Sequence, residues 1–256
     1  MYKLNKQEMP KIAPLFDGWN ETLIWSCLQG CMGNAWVDNI ENPKSAQIVI
    51  ADFCFFAGIP DVELVKNIPT DYPRSYIEMV PQSEAWAKLI EQVYKDKAEK
   101  QVRYSIKKEH DVLNIEKLRT YVEELPSEYR IREIDEELYH KLQSEQWSDN
   151  LCAQFEHYDT YKKHGLGFVV LYAGSAVCGA SSYTYYTNGI EIEIDTKREY
   201  RRKGLALACA SRLILECLER GLYPSWDAAN KASVALSEKL GYHFDKEYDV
   251  YDLTIR

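Results

Sequence analysis

Three cations and a glycine, Arg201-Arg202-Lys203-Gly204, followed by Leu205-Ala206, stand between the strand-like run Gly189-Ile190-Glu191-Ile192-Glu193-Ile194-Asp195-Thr196 and a helical stretch that ends near Glu219. Glycine at the mouth of a helix lets a bulky anion come close to the backbone, where the first N–H groups and the positive end of the helix dipole face it. Cations at that end oppose the dipole, so three in succession imply an anion beside them. Charge-assisted contacts from several cations suit a pyrophosphate better than a lone carboxylate. The plainer alternative is a basic turn that solvates a helix start.

The strand leading into this turn carries two carboxylates, Glu191 and Glu193. A carboxylate held beside an amine acts as a general base, worth about 10²- to 10⁴-fold in rate. Asn188-Gly189 predicts a two-residue type I′ turn. With that turn Tyr186 opposes Glu191 and Thr184 opposes Glu193, and these four share one face, while Tyr183, Tyr185, Ile192 and Ile194 share the other. A solvent-facing wet face is the alternative, and the pattern does not rank the two glutamates.

Downstream, apolar Leu205, Ala206, Cys209, Leu213, Ile214, Cys217 and Leu218 line a helix that stops at Gly221. Pro224 to Asp227 read as a short strand. Asn230 then caps a helix closed by Gly241. Arg201-x-x-Gly204-x-Ala206 resembles the acyl-CoA pyrophosphate loop of the GNAT N-acetyltransferases, whose pattern is Gln/Arg-x-x-Gly-x-Gly/Ala. The run from Asn230 to Lys239-Leu240-Gly241-Tyr242 resembles the second GNAT signature, in which Asn opens a helix ending in Lys-x-Gly-Phe/Tyr. The two motifs occur in the expected order, and the likeness covers about residues 128–256.

This resemblance implies an α/β (α+β) fold, a mixed twisted sheet with flanking helices, and direct transfer of an acetyl group from acetyl-CoA to an amine without a metal. Arg201, Arg202, Lys203, Gly204, Leu205 and Ala206 would bind the pyrophosphate, and Asn230 the pantetheine side. Backbone N–H groups of Ile194, Asp195 and Thr196 would hold the thioester carbonyl, and Glu191 or Glu193 would be the base. Ser237 departs from the pattern, standing where many members have a tyrosine that protonates the leaving thiolate, so that role is vacant, passes to water or falls to another group such as Tyr242 or Tyr248. A module that binds acyl-CoA without turnover is the alternative from another class.

A chain of 256 residues can hold two domains, and Pro126 marks the expected boundary: an N-terminal α/β domain over 1–125 and the acetyltransferase domain over 126–256. The N-terminal half shows a similar order of strands and helices but no Arg-x-x-Gly-x-Ala, which suggests a decayed copy that holds no CoA of its own. A net charge of −9 excludes a generally basic, nucleic-acid-binding surface. Seven scattered cysteines without a CxxC pair read as reduced core residues rather than metal ligands. No apolar run approaches the roughly 20 residues of a membrane span, which leads us to expect a cytoplasmic protein with no membrane partner. The acceptor, a small-molecule or peptide amine, is not specified by any residue.

Overall fold

The computed structural model describes residues 1–255, which fall into two compact units, residues 1–103 with 247–255 and residues 104–246. In the first unit, strand β1 (Tyr2–Lys3) and helix α1 (Thr22–Leu28) precede β2 (Asn34–Val37), β3 (Ser45–Ile50), β4 (Phe53–Gly58), α2 (Val62–Lys66), β5 (Tyr76–Pro81) and α3 (Glu84–Tyr94). Strands β3 and β4, apolar but for Ser45 and Gln47, are buried on both faces, as such runs require. β1 to β4 pair antiparallel in succession, and β4 pairs parallel with β5. Phe56 of β4 stacks on Trp86 of α3 at 5.2 Å in the core.

Strand β6 (Ala98–Ile106) carries the chain into the second unit, where α4 (Ile115–Glu123), β7 (Tyr129–Glu133), α5 (Glu136–Gln143), α6 (Tyr158–His164), β8 (Gly167–Tyr172), β9 (Ser175–Tyr186) and β10 (Gly189–Thr196) follow. After these come α7 (Leu205–Glu219), β11 (Tyr223–Ser225), β12 (Asp227–Ala228), α8 (Lys231–Leu240) and β13 (Phe244–Thr254). β7 to β10 pair antiparallel in succession and β10 pairs parallel with β11. This is a mixed α/β fold, as expected. Pro126 lies inside the second unit, between α4 and β7, and Leu118 of α4 is buried in that unit's core.

The two units share an order of elements and a pairing pattern, three antiparallel junctions and then one parallel. They differ at the turn after the fourth strand. In the first unit that turn is Gly58-Ile59-Pro60-Asp61, and the Asp61 carboxylate accepts from the N–H groups of Glu63 and Leu64 at 2.8 and 3.1 Å. The helix start there is closed by the chain's own anion. β13 pairs antiparallel with β5, so the last residues of the sequence belong to the first unit.

The hairpin departs from the sequence expectation. Tyr186 pairs with Gly189, so the two-residue loop is Thr187-Asn188 rather than Asn188-Gly189, and of these only Asn188 has positive φ, at 68°. Gly189 is required for close approach instead: a Cβ there would stand 2.2 Å from the Tyr186 hydroxyl and 2.7 Å from the Tyr223 carbonyl. Glu191 therefore opposes Thr184, and after a bulge at Tyr183 Glu193 opposes Ser181. Neither pairing is the one the Asn-Gly signal gives. The alternation survives, because Ile190 and Ile192 are buried with Cys209, Leu213 and Ile214 of α7 while the glutamates take the other face.

Candidate active site

Pairing between β10 and β11 runs only from Gly189 with Tyr223 to Glu191 with Ser225. Past Trp226 the chain leaves β10, and Asp227 and Ala228 pair with Ser105 and Tyr104 of β6. The stretch expected as one short strand is thus two, each with a different neighbour. The second half of β10, Ile192 to Thr196, is left without a β11 partner. The Lys197 N–H donates to Val177 of β9 at 2.9 Å. Successive N–H groups of a strand alternate between its edges, so those of Asp195 and Glu193 also face β9, and those of Ile192, Ile194 and Thr196 face the open edge.

At the end of that edge Thr196 is already engaged. Its N–H donates to the Asp195 carboxylate at 2.6 Å, its carbonyl accepts from Arg201 Nε at 3.0 Å, and its hydroxyl donates to Cys178 Sγ at 3.1 Å. Burial pushes the Asp195 carboxyl up, against the opposing pull of the Thr196 N–H and of Arg201, whose guanidinium lies 3.5 Å away. Of the three backbone donors expected at the thioester, Ile194 alone combines the right edge with an N–H not taken by Asp195 or β9.

The turn from β10 to α7 is built by backbone conformation. Arg202 has φ of 61° and Gly204, the N-cap of α7, has φ of 80°, both left-handed. No side chain caps α7, so its first N–H groups remain for an outside acceptor. A Cβ on Gly204 would find nothing within 4 Å, which leaves this helix mouth open. Arg201, Arg202 and Lys203 are exposed around it, with Lys203 Nζ 4.8 Å from the Tyr200 ring centre. Leu205 is buried and Ala206 partly so, which anchors the helix beneath the loop. Lys197, just past the end of β10, is held by Glu145 at 2.8 Å and lies over the Trp147 ring at 5.3 Å. Only folding brings these residues together, and no spacing in the sequence signals it.

Glu191 is 3% exposed, whereas Glu193 is half-buried. The Glu191 carboxylate is close enough to Tyr223 and Tyr242 to disfavour ionisation of both phenols. Burial pushes Tyr242 well above the ordinary phenol range, and its hydroxyl donates to the Pro224 carbonyl at 2.6 Å. Ser237 is buried, with its hydroxyl donating to the Val234 carbonyl at 2.8 Å. Neither presents a proton to an incoming group, and Tyr248 lies on the part of β13 that belongs to the other unit. Asn230 caps α8, its Oδ1 accepting from Ala232 and Ser233 N–H groups at 3.0 Å, which leaves its amide NH₂ as the group that can turn outward. Among the described residues no three His, Cys, Asp or Glu side chains gather as metal ligands would.

The family described as GNAT acetyltransferase matches residues 13–251. The likeness read from two C-terminal motifs therefore extends over nearly the whole chain. A Bacillus subtilis (strain 168) protein called uncharacterized N-acetyltransferase YdfB is 26% identical over 265 residues, covering 98% of both chains. The crystal structure of a GCN5-related N-acetyltransferase-like protein from Streptococcus suis 89/1591 matches with a TM-score of 0.91 and 43% identity, over 96% of this chain and 98% of that one. A tandem GNAT protein from the clavulanic acid biosynthesis pathway shares the fold at a TM-score of 0.60 and 10% identity, over 98% of this chain and 97% of its own.

Proposed function

The chain belongs to the GNAT acetyltransferase family and is an N-acetyltransferase, and from that premise we propose that it moves the acetyl group of acetyl-CoA directly to an amine of a small molecule or peptide. The observation that carries this reading is the parting of β10 from β11 after Glu191, at the base of an uncapped, cation-ringed helix start. The pyrophosphate would lie on the N–H groups of Gly204, Leu205 and Ala206 with Arg201, Arg202 and Lys203 around it. The Ile194 N–H would donate to the thioester oxygen as it gains charge, and the Asn230 amide would reach the pantetheine arm.

Glu191 is the better candidate for the base. It is buried at the point where the strands separate, whereas Glu193 is two residues further along and more open to water. As the amine attacks, its proton passes to the Glu191 carboxylate, the new C–N bond forms and the C–S bond breaks. A free thiol ionises near pH 8.5, so the leaving thiolate takes its proton from water without a dedicated acid. Seven free cysteines support a reducing, cytoplasmic setting. The shared order of strands and helices supports the first unit as a copy of the second whose helix start, closed by Asp61, holds no CoA.

The test is calorimetric titration of acetyl-CoA, followed by thiol release on a panel of amines (diamines, polyamines, aminosugars, amino-acid amides). Glu191→Gln should lose at least about 100-fold in kcat on the best acceptor while binding acetyl-CoA as before. Wild-type protein that binds no acetyl-CoA would remove the reading, and a Glu193→Gln loss with Glu191→Gln intact would move the base to Glu193.

A further inference from the structure

The residues of β10 that face away from α7 are Glu191, Glu193 and Asp195, a row of carboxylates along one strand face. Residues two apart on a strand are separated by about 6.5 Å, so the row extends about 13 Å. The segment joining α5 to α6 lies over its far end. A Cβ on Gly179, which pairs with Asp195, would stand 2.4 Å from Leu151, and Asp149 of the same segment pushes the Asp195 carboxyl up along with burial. Arg201 lies 3.5 Å from Asp195, and Lys197 is held by Glu145. Both cations belong to the Asp195 end of the row.

Carboxylates along a strand can be no more than a wet face. A separate observation points to a guest at the other end. Thr184 pairs with Glu191 across β9 and so shares its face; it is fully buried, and its hydroxyl has no hydrogen-bond partner among the described residues. Valine fills the same space, suits a strand equally well and leaves no polar atom unsatisfied. A hydroxyl kept here at that cost implies a polar group beside Glu191 that the polypeptide does not supply.

We propose that this face of β10 is the acceptor groove and that it selects a linear aliphatic diamine: one nitrogen sits at Glu191 and Thr184 and reacts, while the second, still protonated, is held by Glu193. The inference rests on the acetyltransferase reading with Glu191 as the base, and adds the class of acceptor. Nitrogens joined by about four or five methylene groups span the distance between the two glutamates. A positive charge nearby disfavours the charged form of the reacting amine, so the second ammonium eases the loss of its proton. An acceptor with a carboxylate beside its amine would meet like charge along the groove, whereas a dication is drawn to a chain of net charge −9. The acetylated nitrogen carries no charge. A monoacetylated diamine therefore cannot offer an amine to Glu191 and a cation to Glu193 at once, and transfer stops at one acetyl group.

The experiment uses the full chain with acetyl-CoA as donor and compares diaminobutane and diaminopentane with butylamine and pentylamine by thiol release. The wild type should favour each diamine over its matched monoamine at least about tenfold in kcat/KM, the worth of one charge-assisted hydrogen bond. Glu193→Gln keeps the shape and loses the charge, so it should bring that ratio to within about threefold, chiefly by raising KM for the diamine. Mass spectrometry should find one acetyl group per diamine. Wild type that uses monoamines within about threefold of diamines, or that acetylates another amine and neither diamine, overturns the proposal and leaves acetyl transfer in place. That comparison needs no variant, so misfolding cannot cloud it. A Glu193→Gln protein that keeps the preference removes Glu193 from the role, and one that loses turnover on both kinds of amine alike makes it a base instead; either result defeats the two-point groove. A doubly acetylated main product does the same. Wild type that releases thiol with no amine defeats the enzyme reading, and the inference with it.

Discussion

Replacing Gly204 by alanine separates the two demands made on that position. Gly204 sits at φ of 80°, where an L-residue costs about 1–2 kcal/mol. The added methyl meets nothing within 4 Å, so no steric cost comes on top. For a chain of this size about 1 kcal/mol corresponds to about 2–4 °C, so the melting temperature should fall by about 2–8 °C. That strain is present in both the free and bound protein and cancels from the binding equilibrium. What does not cancel is the methyl standing at the open helix mouth, where phosphate oxygens must approach the N–H groups to about 2.8 Å. Losing one charge-assisted hydrogen bond costs about 1.5–3 kcal/mol, or about 10- to 150-fold in affinity. Thermal denaturation and calorimetric titration of acetyl-CoA read the two effects separately. Gly204→Ala protein that binds acetyl-CoA within about twofold of wild type would show that no anion approaches this backbone, and the loop would lose its assigned role.

Two further variants test the neighbouring groups. Tyr242→Phe removes the proton donated to the Pro224 carbonyl, so stability should drop by about 1–3 kcal/mol in chemical denaturation while kcat stays within about twofold; a large kcat loss in a folded variant would return the acid role to this phenol. At Glu145, the hydrogen bond to Lys197 holds the carboxyl below its usual range, outweighing the effect of burial. A folded-state value below the unfolded one stabilises above about pH 4.3 and is lost as the pH falls further. Glu145→Gln should therefore lower the melting temperature at pH 7, by the few degrees of a partly exposed pair worth about 1 kcal/mol, and the gap should narrow as the pH falls below the ordinary carboxylate range. A gap that does not change with pH would mean that packing on Trp147, not charge, holds this clamp.

The local pieces of the site are written in adjacent residues. Arg201 to Ala206 form a cation-ringed helix start because the left-handed turn needs Gly204 and the helix needs the apolar spacing from Leu205 to Leu218. Asn230 and Gly241 bracket α8, as a capping residue and a left-handed closing glycine should. Alternation along Ile190 to Asp195 puts isoleucines toward α7 and glutamates away from it, a consequence of strand geometry that holds whatever the partner strand.

The partner is where adjacency stops helping. Asn188-Gly189 signals one turn, yet Gly189 is claimed by the Tyr186 ring and the Tyr223 carbonyl, contacts made across other strands, and the loop moves back one residue. The same shift sets Thr184 rather than Tyr186 against Glu191, and the bulge at Tyr183 then sets Ser181 against Glu193. Pro224 to Asp227 look like one strand in sequence and are split between two because each part finds its hydrogen-bond partner more than thirty residues away, in β10 and in β6. The sequence by itself determined which residues ring the start of α7 and which cap and close α8, since those properties depend on side-chain chemistry and neighbours within a few positions. Only the tertiary structure decided which carboxylate is buried, which backbone N–H faces an open edge and which hydroxyl lacks a partner, because each depends on strand register, and register is settled by contacts between segments far apart in the chain.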